Sequence, residues 1–382
     1  MKKLFYLGII GLILFEIANV YFIMPMPGSQ RMNSIDAAYF FHTWRWMFRG
    51  IFGLLVLIGA VAAFRTNKWM MSLNVLLLAA FGIVAYMTNY EMAADTMFYQ
   101  SNDLRLKNAK DNKVGKERLI IGAEINGQAR AYPIQYLGYH HQVRDTLGGK
   151  AIIITYCTVC RTGRVFEPLV NGKVEQFRLV GMDHFNAMFE DATTKSWWRQ
   201  ANGEAITGQL KGQTLPEVNT TQTTLQKWLE LHPNSLVMQP DVKFQEEYDS
   251  LSKYEAGKRK GSLTRRDSLS WKDKSWVAGI EHKGSSKAFD WNKLEKIGII
   301  NDQVGSQPVV LALAKDKKSF FAFERPAANA SFTLRNDTLF YDKQAFNLLG
   351  KSITKTTPDL VRLNAYQEYW HSWQTFHPET QK

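Results

Sequence analysis

Two cysteines are the residues of this sequence best suited to chemistry. Cys157 and Cys160 are the only cysteines among its 382 residues, and they follow directly on residues 152–156, an apolar run that predicts a buried strand. A turn at the end of such a strand can hold both sulfurs on one side. A C-x-x-C pair has lowered thiol pKa values and suits disulfide exchange, or it supplies two thiolates to a soft metal. Redox or metal chemistry at this pair is therefore the first hypothesis.

A structural disulfide, or a pair of buried thiols, is the alternative interpretation of the same two residues. The stabilisation that a disulfide gains from chain entropy grows with the length of the loop it closes, and a loop as short as this one contributes only about 2 kcal/mol. A disulfide that serves stability usually closes a longer loop. This argument favours chemistry but leaves the structural alternative open.

A soft cation such as copper(I) would need a third ligand, because two thiolates leave it under-coordinated and a neutral imidazole is the natural addition. His140 and His141 precede the strand pair that leads into the cysteines, so the fold could bring one of them close. We expect His140 to complete a metal site with Cys157 and Cys160. Asp145, which follows the histidines, is a further candidate for contact with a ligand.

A second polar segment, residues 191–200, could line a binding pocket. It concentrates polar side chains around two adjacent tryptophans. Trp197 or Trp198 would form a wall of the pocket, and Asp191, Ser196 or Gln200 would supply a hydrogen-bonding floor. The same pattern also fits an aromatic corner of the core, so both interpretations stand.

Several classes of function are excluded by the sequence. The formal charge is +12, but no zinc-finger cysteine series and no nucleic-acid signature accompanies it, so nucleic acid is not an expected partner. Arg161 rather than a histidine follows the second cysteine, which excludes covalent attachment of c-type haem. No Gly-rich phosphate loop, H-E-x-x-H motif or serine nucleophile elbow occurs. We expect the basic surface to face anionic lipid or other polyanions.

The first ninety residues predict a membrane region. An apolar run over residues 4–24 is long enough to span a bilayer, and two more follow at residues 51–64 and 70–87. No small-x-small cleavage site follows the first run, which favours an uncleaved anchor over a signal peptide. We expect three transmembrane helices within residues 1–90.

The basic residues around these runs predict an orientation. Cytoplasmic loops carry an excess of Lys and Arg, and an odd number of spans with the N-terminus inside places residues 91–382 outside the cytoplasm. The expected location is the inner cell membrane with a periplasmic C-terminal domain. The cytoplasmic basic residues would be Lys2, Lys3, Arg65 and Lys68, against Arg31, Arg45 and Arg49 at the opposite side.

Two polar residues, Glu16 and Asn19, lie within the first apolar run. Polar side chains are unfavourable in lipid, so we expect both to face the other helices or a cavity. A polar site inside the helix bundle and a simple helix-packing contact both fit this expectation.

Beyond residue 91 the pattern changes to short β-branched or alternating runs with turn residues between them. Asn126-Gly127 and Asn171-Gly172 are strong hairpin signals. A helix is predicted at residues 223–231. The predicted fold class is therefore a set of N-terminal transmembrane helices followed by a β-rich α+β domain.

The β-rich domain repeats itself at a constant offset. Gly122 matches Gly279 and Asp145 matches Asp302, each 157 positions later. Fixed self-similarity of this kind indicates two copies of one unit, and the second copy has no cysteines. We expect a first repeat at residues 91–239 that carries the C-x-x-C pair, a polar connector at 240–275, and a cysteine-free repeat at 276–382.

These motifs together resemble an uncharacterised bacterial domain-of-unknown-function family, number 3179, typically periplasmic or membrane-anchored. The family pattern reads A-R-A-Y-P, then H-E-x-x-N-D with G-G, then T-Y-C-P-L-C, then D-x-x-T-x-S-x-W-x-Q. The corresponding segments of this chain are 129–133, 140–149, 155–160 and 191–200. Thr158-Val159 replaces Pro-Leu, His141 replaces Glu and Arg144 replaces Asn.

The resemblance covers roughly residues 115–382 and implies a compartment better than an activity, because no reaction is attached to the family. It implies a role for His140, which matches the family pattern, whereas His141 stands where the family has a carboxylate. The resulting hypothesis is a membrane-tethered extracytoplasmic protein that uses a C-x-x-C/His site for thiol redox or for handling copper or another soft metal, with a redox or metal-transfer protein as partner. The alternative is a non-catalytic module that binds an envelope ligand and has a structural disulfide. Whether the chain is an enzyme stays open.

Overall fold

The structure is a computed structural model that describes residues 1–101, 103–355 and 357–382. Its α-helices are α1 (Lys2–Tyr21), α2 (Ile35–Thr43), α3 (Arg45–Phe64), α4 (Lys68–Tyr86), α5 (Ala94–Met97), α6 (Ile134–His140), α7 (Leu225–Leu231), α8 (Gln245–Ser250), α9 (Trp291–Ile297) and α10 (Trp370–Phe376). Its strands are β1 (Leu106–Lys107), β2 (Leu119–Ile125), β3 (Gln128–Pro133), β4 (Gln142–Leu147), β5 (Lys150–Cys157), β6 (Thr162–Phe166), β7 (Leu169–Val170), β8 (Lys173–Val174), β9 (Phe177–Asp183), β10 (Asn186–Asp191), β11 (Trp197–Arg199), β12 (Ala205–Thr207), β13 (Thr220–Thr224), β14 (Leu236–Met238), β15 (Trp276–His282), β16 (Ser285–Asp290), β17 (Ile299–Val304), β18 (Gln307–Leu313), β19 (Phe320–Glu324), β20 (Thr333–Arg335), β21 (Thr338–Tyr341), β22 (Gln344–Phe346), β23 (Arg362–Leu363) and β24 (Tyr366–Tyr369).

Three helices near the N-terminus are long and apolar enough to span a membrane. They are α1, α3 and α4 with its π-helical continuation to Glu91, with mean hydropathies of 1.9, 2.2 and 2.0. The expectation of three apolar helices is confirmed, and the second helix begins earlier than its apolar run, at Arg45. A further short helix, α2, stands between the first two and was not predicted.

The helices α1 and α3 are antiparallel and in close contact through glycines. A Cβ on Gly59 would lie 2.3 Å from the backbone nitrogen of Phe5, and a Cβ on Gly8 would lie 2.6 Å from the carbonyl oxygen of Phe52. At one end of the bundle Lys2 Nζ lies 3.5 Å from Thr66 Oγ1. The basic residues around the starts of α1 and α4 therefore lie together at that end.

The opposite part of the bundle contains a buried ion pair. Arg49 donates to both carboxylate oxygens of Glu16, at 2.6 and 2.8 Å, and Asn89 Nδ2 donates to Glu16 Oε2 at 2.9 Å. Glu16 is 2% exposed. It therefore faces the other helices, as its position in an apolar run predicts, and its charge is neutralised there.

The chain folds into two compact units. Unit 1 comprises Met1–Tyr99, Gln176–Arg199 and Glu204–Gln213, and unit 2 comprises the remaining described residues. Unit 1 thus includes the four-stranded sheet β12-β11-β10-β9 as well as the N-terminal helices. Its core joins helix and sheet residues, among them Ile23, Met188 and Trp197.

Unit 2 is β-rich, as predicted. Its largest sheet has the order β1-β14-β3-β2-β13, and β17-β18-β19-β23, β16-β15-β24, β4-β5-β6, β20-β21-β22 and β7-β8 form separate sheets. The two predicted Asn-Gly hairpin turns lie between β2 and β3 and between β7 and β8. Asn126 and Asn171 both have positive φ, which such turns require.

One order of elements occurs twice in unit 2. A hairpin (β2, β3), a short helix (α6) and three antiparallel strands (β4 to β6) are followed later by β15, β16, α9 and β17 to β19. The register corresponds as well, because Gly122 pairs with Ala131 and Gly279 pairs with Ala288. Both residues of the first pair therefore lie 157 positions before their counterparts in the second pair.

Two predicted boundaries differ from the structure. The helix expected from residue 223 begins at Leu225, because Thr220–Thr224 forms strand β13 and Thr224 caps the helix by accepting from the backbone N–H of Lys227. Residues 240–275, expected to be a polar surface connector, contribute fully buried aromatic rings from Tyr248 and Tyr254. This segment therefore belongs to the core of unit 2 as well as to its surface.

Candidate functional site

The C-x-x-C pair lies at the turn of one hairpin. Strand β5 ends at Cys157, which pairs with Thr162 at the start of β6. The four residues from Thr158 to Arg161 form the connection, and Arg161 has a φ of 58°. The sequence-based expectation that a turn after a buried strand holds both cysteines agrees with this arrangement.

Both cysteines are present as thiols and are fully buried. Each has an exposed fraction of 0%, and Thr158 and Val159 between them are 7% and 6% exposed. Burial raises the pKa of the Cys160 thiol well above its ordinary value, and a hydrogen bond with Cys157 raises this pKa further. A hydrogen bond from Ser372 and the charge of Lys274 act in the opposite direction. Cys160 is therefore a thiol rather than a thiolate at neutral pH in this conformation.

A lysine and a histidine lie against the backbone of the cysteine turn. Lys274 Nζ donates to the carbonyl oxygen of Val159 at 2.7 Å and lies 2.9 Å from Nε2 of His371. Nε2 of His371 is 3.2 Å from the same carbonyl oxygen. Burial lowers the pKa of Lys274 to about 8, although the two cysteines counteract this shift. Burial and the Lys274 charge lower the pKa of His371 to about 3, so this imidazole is neutral at pH 7.

The other side of the turn is held by an arginine inside the protein. Arg161 is 1% exposed, donates from Nε to Gln367 at 2.8 Å and from Nη2 to the carbonyl oxygen of Glu255 at 3.0 Å. Its guanidinium lies 3.9 Å from the ring centroid of Trp276. Tyr254 Oη donates to the carbonyl oxygen of Thr158 at 3.0 Å. These contacts attach the turn to distant segments of unit 2.

His140, the expected third metal ligand, lies in α6 and is 1% exposed. Its Nε2 is 2.7 Å from the hydroxyl oxygen of Tyr248. The rings of Tyr139, Phe244 and Tyr248 surround the imidazole at centroid distances of 5.0 to 5.7 Å. The contacts of this histidine are therefore aromatic and phenolic.

His141 occupies the position that ends α6 in the left-handed conformation, with a φ of 60°. Its backbone N–H bonds to Leu137 O, and its carbonyl oxygen accepts from the N–H of Tyr156. In the later set of elements with the same order, Gly298 takes the corresponding place after α9, with a φ of 78°. Glycine is the usual residue at such a helix end. This backbone requirement explains the exchange of His141 for glycine without any metal site.

The residues proposed as metal ligands do not form a metal cluster. Among residues 1–101, 103–355 and 357–382, no group of three or more His, Cys, Asp or Glu side chains has an arrangement that could hold a metal ion. Cys157 and Cys160 are close together, whereas the imidazole nitrogen of His140 is bonded to Tyr248. The described residues around the two cysteines therefore fit a dithiol better than a metal centre.

Asp145, a candidate ligand-binding residue, lies in β4 and forms contacts within unit 2. It is bonded to the guanidinium of Arg130, and it accepts from the hydroxyl of Tyr132 at 2.7 Å. Its counterpart Asp302 is paired with Lys287 at 3.0 Å. Asp145 thus links strand β4 to the β2–β3 hairpin, and Asp302 links strand β17 to the β15–β16 hairpin.

Asp191, Ser196 and Trp198 are brought together in unit 1 and are all buried. Asp191 Oδ2 accepts from Thr194 Oγ1 at 2.7 Å, from the backbone N–H of Ser196 at 3.0 Å and from Trp198 Nε1 at 3.0 Å. Ser196 Oγ in turn accepts from the backbone N–H of Leu210. The D-x-x-T-x-S-x-W pattern thus encodes an internal hydrogen-bond network around one carboxylate.

Gln200, the fourth residue of that predicted pocket, belongs to unit 2. Its Nε2 donates to Thr155 Oγ1 and to the carbonyl oxygen of Thr162, both at 3.0 Å. These two residues flank the cysteine turn, one in β5 and one in β6. Gln200 therefore belongs with the C-x-x-C hairpin.

Sequence reasoning missed the residues that contact the cysteine turn from a distance: Lys274, His371, Ser372 and Tyr254. They lie more than 90 positions from the cysteines in the chain, in the expected connector and in α10. No local pattern marks them. Arg161 adjoins the pair directly. A charged residue immediately after the second cysteine was therefore the one signal of this group that the sequence offered.

Comparison with known proteins agrees with the motif pattern. No curated protein and no solved structure matches the chain. The family model described as Protein of unknown function (DUF3179) matches residues 102–380. The resemblance inferred from the motifs is confirmed, and the chain belongs to the DUF3179 family.

Proposed function

We propose that this protein is anchored in the inner membrane by α1, α3 and α4 and that the residues after Glu91 lie outside the cytoplasm. The length and hydropathy of the three helices support the anchoring. The basic residues Lys2, Lys3, Arg65 and Lys68 at one end of the bundle support the orientation. A reporter that is active only outside the cytoplasm, fused after Lys382, should be active. An inactive full-length fusion in membranes that contain the protein would contradict the orientation.

We also propose that unit 2 arose from two copies of one element set, of which the first retains the chemistry. The matching offset of the glycine pairs and the left-handed positions at His141 and Gly298 support the duplication. The second copy has Leu311 and Ala314 where the first has Ile154 and Cys157. An experimental structure in which the two sets have different strand orders would contradict this proposal.

The function that the site supports best is thiol–disulfide exchange at Cys157 and Cys160. The observation that carries it is a pair of buried, hydrogen-bonded thiols at one hairpin turn, with a lysine of lowered pKa bonded to that turn. A positive charge near a thiol favours the reactive thiolate. The membrane region would serve as a docking surface for the redox partner.

The exchange consists of two successive displacements at sulfur. One thiolate of the pair attacks a sulfur of a partner disulfide and expels the partner's first thiolate. The second cysteine then attacks the mixed disulfide at the sulfur of the first cysteine and expels the partner's second thiolate. Two electrons pass from the cysteine pair to the partner, and the two thiol protons are available to the two expelled thiolates.

Burial sets a condition on this chemistry. Cys157 and Cys160 are both 0% exposed, so no disulfide can reach either sulfur in the closed conformation. The exchange therefore needs a local opening of the turn, and its rate should be limited by that opening when the attacking reagent is abundant. Only a reagent that reacts while the turn is open can modify a buried dithiol of this kind.

The test uses the full-length protein in detergent and an aromatic disulfide as reagent. The wild type should release two equivalents of aromatic thiolate per chain and end as the Cys157–Cys160 disulfide, with a rate that reaches a plateau as the reagent concentration rises. Cys157→Ser should release one equivalent and retain the second aromatic group as a mixed disulfide. Release that occurs only after denaturation would overturn the exchange proposal.

Protein taken directly from cells separates the remaining alternatives. Mass spectrometry should find the pair in a state that mild reductant or oxidant can reverse. A quantitatively oxidised pair that resists reductant would favour the envelope-binding module. Stoichiometric copper that is lost in both Cys157→Ser and His140→Ala would favour soft-metal handling instead.

A further inference from the structure

Unit 1 contains a cavity of about 680 Å³ that the thiol chemistry does not use. Its lining comes from the end of α1, from α2, from the start of α3, from the π-helical end of α4 and from strands β9 and β10. The cavity therefore lies at the end of the helix bundle opposite to Lys2 and Thr66. If the three helices span a membrane, this end is where the bilayer meets water.

The cavity contains an unsatisfied acceptor. Asn19, which follows Glu16 by one turn on α1, is 7% exposed and lines the cavity. Its Oδ1 has no hydrogen-bond partner among the described residues. A buried carbonyl oxygen without a partner costs about 1–3 kcal/mol, so a ligand that donates a hydrogen bond there would recover this energy.

Of the three cationic side chains that line the cavity, one is paired with carboxylates. Arg178 is paired with Glu190 at 2.9 Å and with Asp95 at 3.1 Å. Arg45 and Lys195 also line the cavity, and within the described residues neither has a carboxylate at ion-pair distance. These two side chains leave a net positive charge that suits an anion, and a guanidinium is well adapted to phosphate.

A neutral imidazole and an apolar wall complete the lining. Burial, together with the charges of Arg45 and Arg178, lowers the pKa of His42 to about 3, so His42 adds no charge at pH 7. The apolar side chains of Ile23 and Val180 lie in the same cavity. Arg45 Nη1 donates to the carbonyl oxygen of His42 at 2.5 Å, and its charge has no carboxylate at ion-pair distance among the described residues. The cavity thus combines two cations of this kind, one acceptor without a described partner and an apolar wall. This combination is the complement of an amphiphile with an anionic, hydroxylated head.

We propose that this cavity binds an anionic phospholipid through the phosphate of its headgroup. Arg45 and Lys195 hold the phosphate, a hydroxyl of the headgroup donates to Asn19 Oδ1, and the apolar wall receives the start of an acyl chain. The inference rests on the membrane anchoring proposed above and is independent of the thiol chemistry. It assigns to unit 1 a role in lipid recognition beyond that of an anchor.

The test is native mass spectrometry of the full-length protein released from nanodiscs of phosphatidylcholine, with and without phosphatidylglycerol. The wild type should retain one phosphatidylglycerol per chain. Arg45→Ala and Lys195→Gln should each weaken retention by about tenfold or more, equivalent to about 1.4 kcal/mol. Asn19→Leu should weaken it too. The matched controls are Lys211→Gln and Asn74→Leu, which change an exposed lysine and a buried asparagine with an unpaired Oδ1 outside the cavity.

Inorganic phosphate as a competitor distinguishes a lipid site from a site for the free anion. Retention of phosphatidylglycerol in excess phosphate supports the lipid, because the acyl chain adds binding that phosphate lacks. Displacement of the lipid by phosphate, or equal retention in the cavity variants and the controls, would overturn the proposal. Carbonate extraction of cell membranes reports separately on the anchoring: a chain that is extracted refutes the anchor, whereas a retained chain without bound lipid refutes only the lipid site.

Discussion

The indole of Trp228 lies directly against Gly122, so that a Cβ on this glycine would be 2.4 Å from Cζ3 of the ring. Trp373 has the same relationship to Gly279, with a Cβ distance of 2.2 Å to its indole. Each indole also packs against the histidine four positions later: Trp228 lies 4.1 Å from His232 with tilted rings, and Trp373 lies 3.8 Å from His377 with stacked rings, measured between ring centroids. Because neither glycine has a side chain, helix α7 can pack its tryptophan directly against strand β2, and helix α10 can do the same against strand β15.

Gly122→Ala and Gly279→Ala should each destabilise unit 2 by about 1–3 kcal/mol, because the added methyl group meets a rigid ring rather than a flexible chain end. Thermal or denaturant unfolding of the purified protein would measure the change. Gly53→Ala is the matched control, since no atom of the described residues lies within 4 Å of a Cβ there. Equal unfolding midpoints for all three variants would show that the indoles move aside.

The buried pair Arg164–Glu368 is a second stability determinant of unit 2. Arg164 Nη2 is 2.7 Å from Glu368 Oε1, the two side chains are 3% and 1% exposed, and the guanidinium lies 3.3 Å from the ring centroid of Tyr366. Glu368→Gln removes the closer of the two carboxylates at this arginine and leaves Glu217 Oε1, 3.4 Å from Arg164 Nε, as the remaining one. The variant should cost about 3 kcal/mol in free energy of unfolding, because a buried charge then loses its main partner.

The exposed pair Lys351–Asp359 is the control for that variant, because its nitrogen–oxygen distance of 2.9 Å is similar. Asp359→Asn should leave the unfolding midpoint unchanged within error, since water screens a surface pair. A large effect of Asp359→Asn, or none of Glu368→Gln, would contradict the assignment of burial as the deciding factor.

Asp316 should make unit 2 sensitive to acid. Burial alone would raise the pKa of Asp316, but hydrogen bonds from Ser319, Lys318 and Thr224 lower it below its ordinary value. A carboxyl group whose pKa is lowered by folding contributes stability above its unfolded pKa, near 3.9, and loses it as the pH falls through the folded value. The stability difference between wild type and Asp316→Asn should therefore be present at neutral pH and shrink below about pH 4.

Melting temperatures across a pH series would measure this difference. Asp342→Asn, which changes an exposed aspartate that accepts no side-chain hydrogen bond among the described residues, is the control and should follow the wild type at every pH. A constant gap between wild type and Asp316→Asn down to the lowest pH would show that the carboxylate is not the source of the acid sensitivity.

Lys274 should control the reactivity of the cysteine pair through its charge. The Lys274 charge lowers the pKa of Cys160, whereas burial raises it. Lys274→Met should therefore slow alkylation of the thiols at pH 7 by about tenfold at most, equivalent to one pKa unit. Because the pKa of Lys274 is about 8, the ammonium loses its charge above that pH, and the difference from wild type should then diminish.

Alkylation rates of wild type and variant, measured from about pH 6 to about pH 10, would reveal this dependence. The largest expected difference between the two proteins is about tenfold. Lys274→Arg keeps a cation at every pH and should preserve the neutral-pH rate without the loss at higher pH. Lys272→Met is the matched control at an exposed position two residues away. A pH-independent difference would indicate that Lys274 only packs against the turn.

The positions of the main elements were accessible from the sequence because they depend on local patterns. Alternation and β-branched residues between turn signals predicted a β-rich domain after residue 91, and the long apolar runs predicted three helices. These two signals depend on neighbours within a few positions, so no long-range contact was needed to interpret them. The offset between Gly122 and Gly279 predicted that the same elements recur, and it required only a comparison of the sequence with itself.

The grouping of residues into sites was not accessible in the same way. The predicted pocket of Asp191, Ser196, Trp198 and Gln200 divides between two units, although its residues are within ten positions of one another. His140 was expected to act together with the cysteines, and its ring nitrogen bonds to Tyr248, a residue from the expected connector. Proximity in sequence therefore did not indicate the unit of Gln200 or the bonding partner of His140.

The sequence by itself determined that this chain has three apolar helices, a β-rich remainder and one C-x-x-C pair at the end of a buried strand, because periodicity and turn chemistry are local properties. Only the tertiary structure decided what surrounds that pair. Lys274 and His371 reach the carbonyl oxygen of Val159 across 115 and 212 positions, and burial then sets their protonation. A pKa in the interior depends on every group packed around it, and that environment exists only once distant segments have come together.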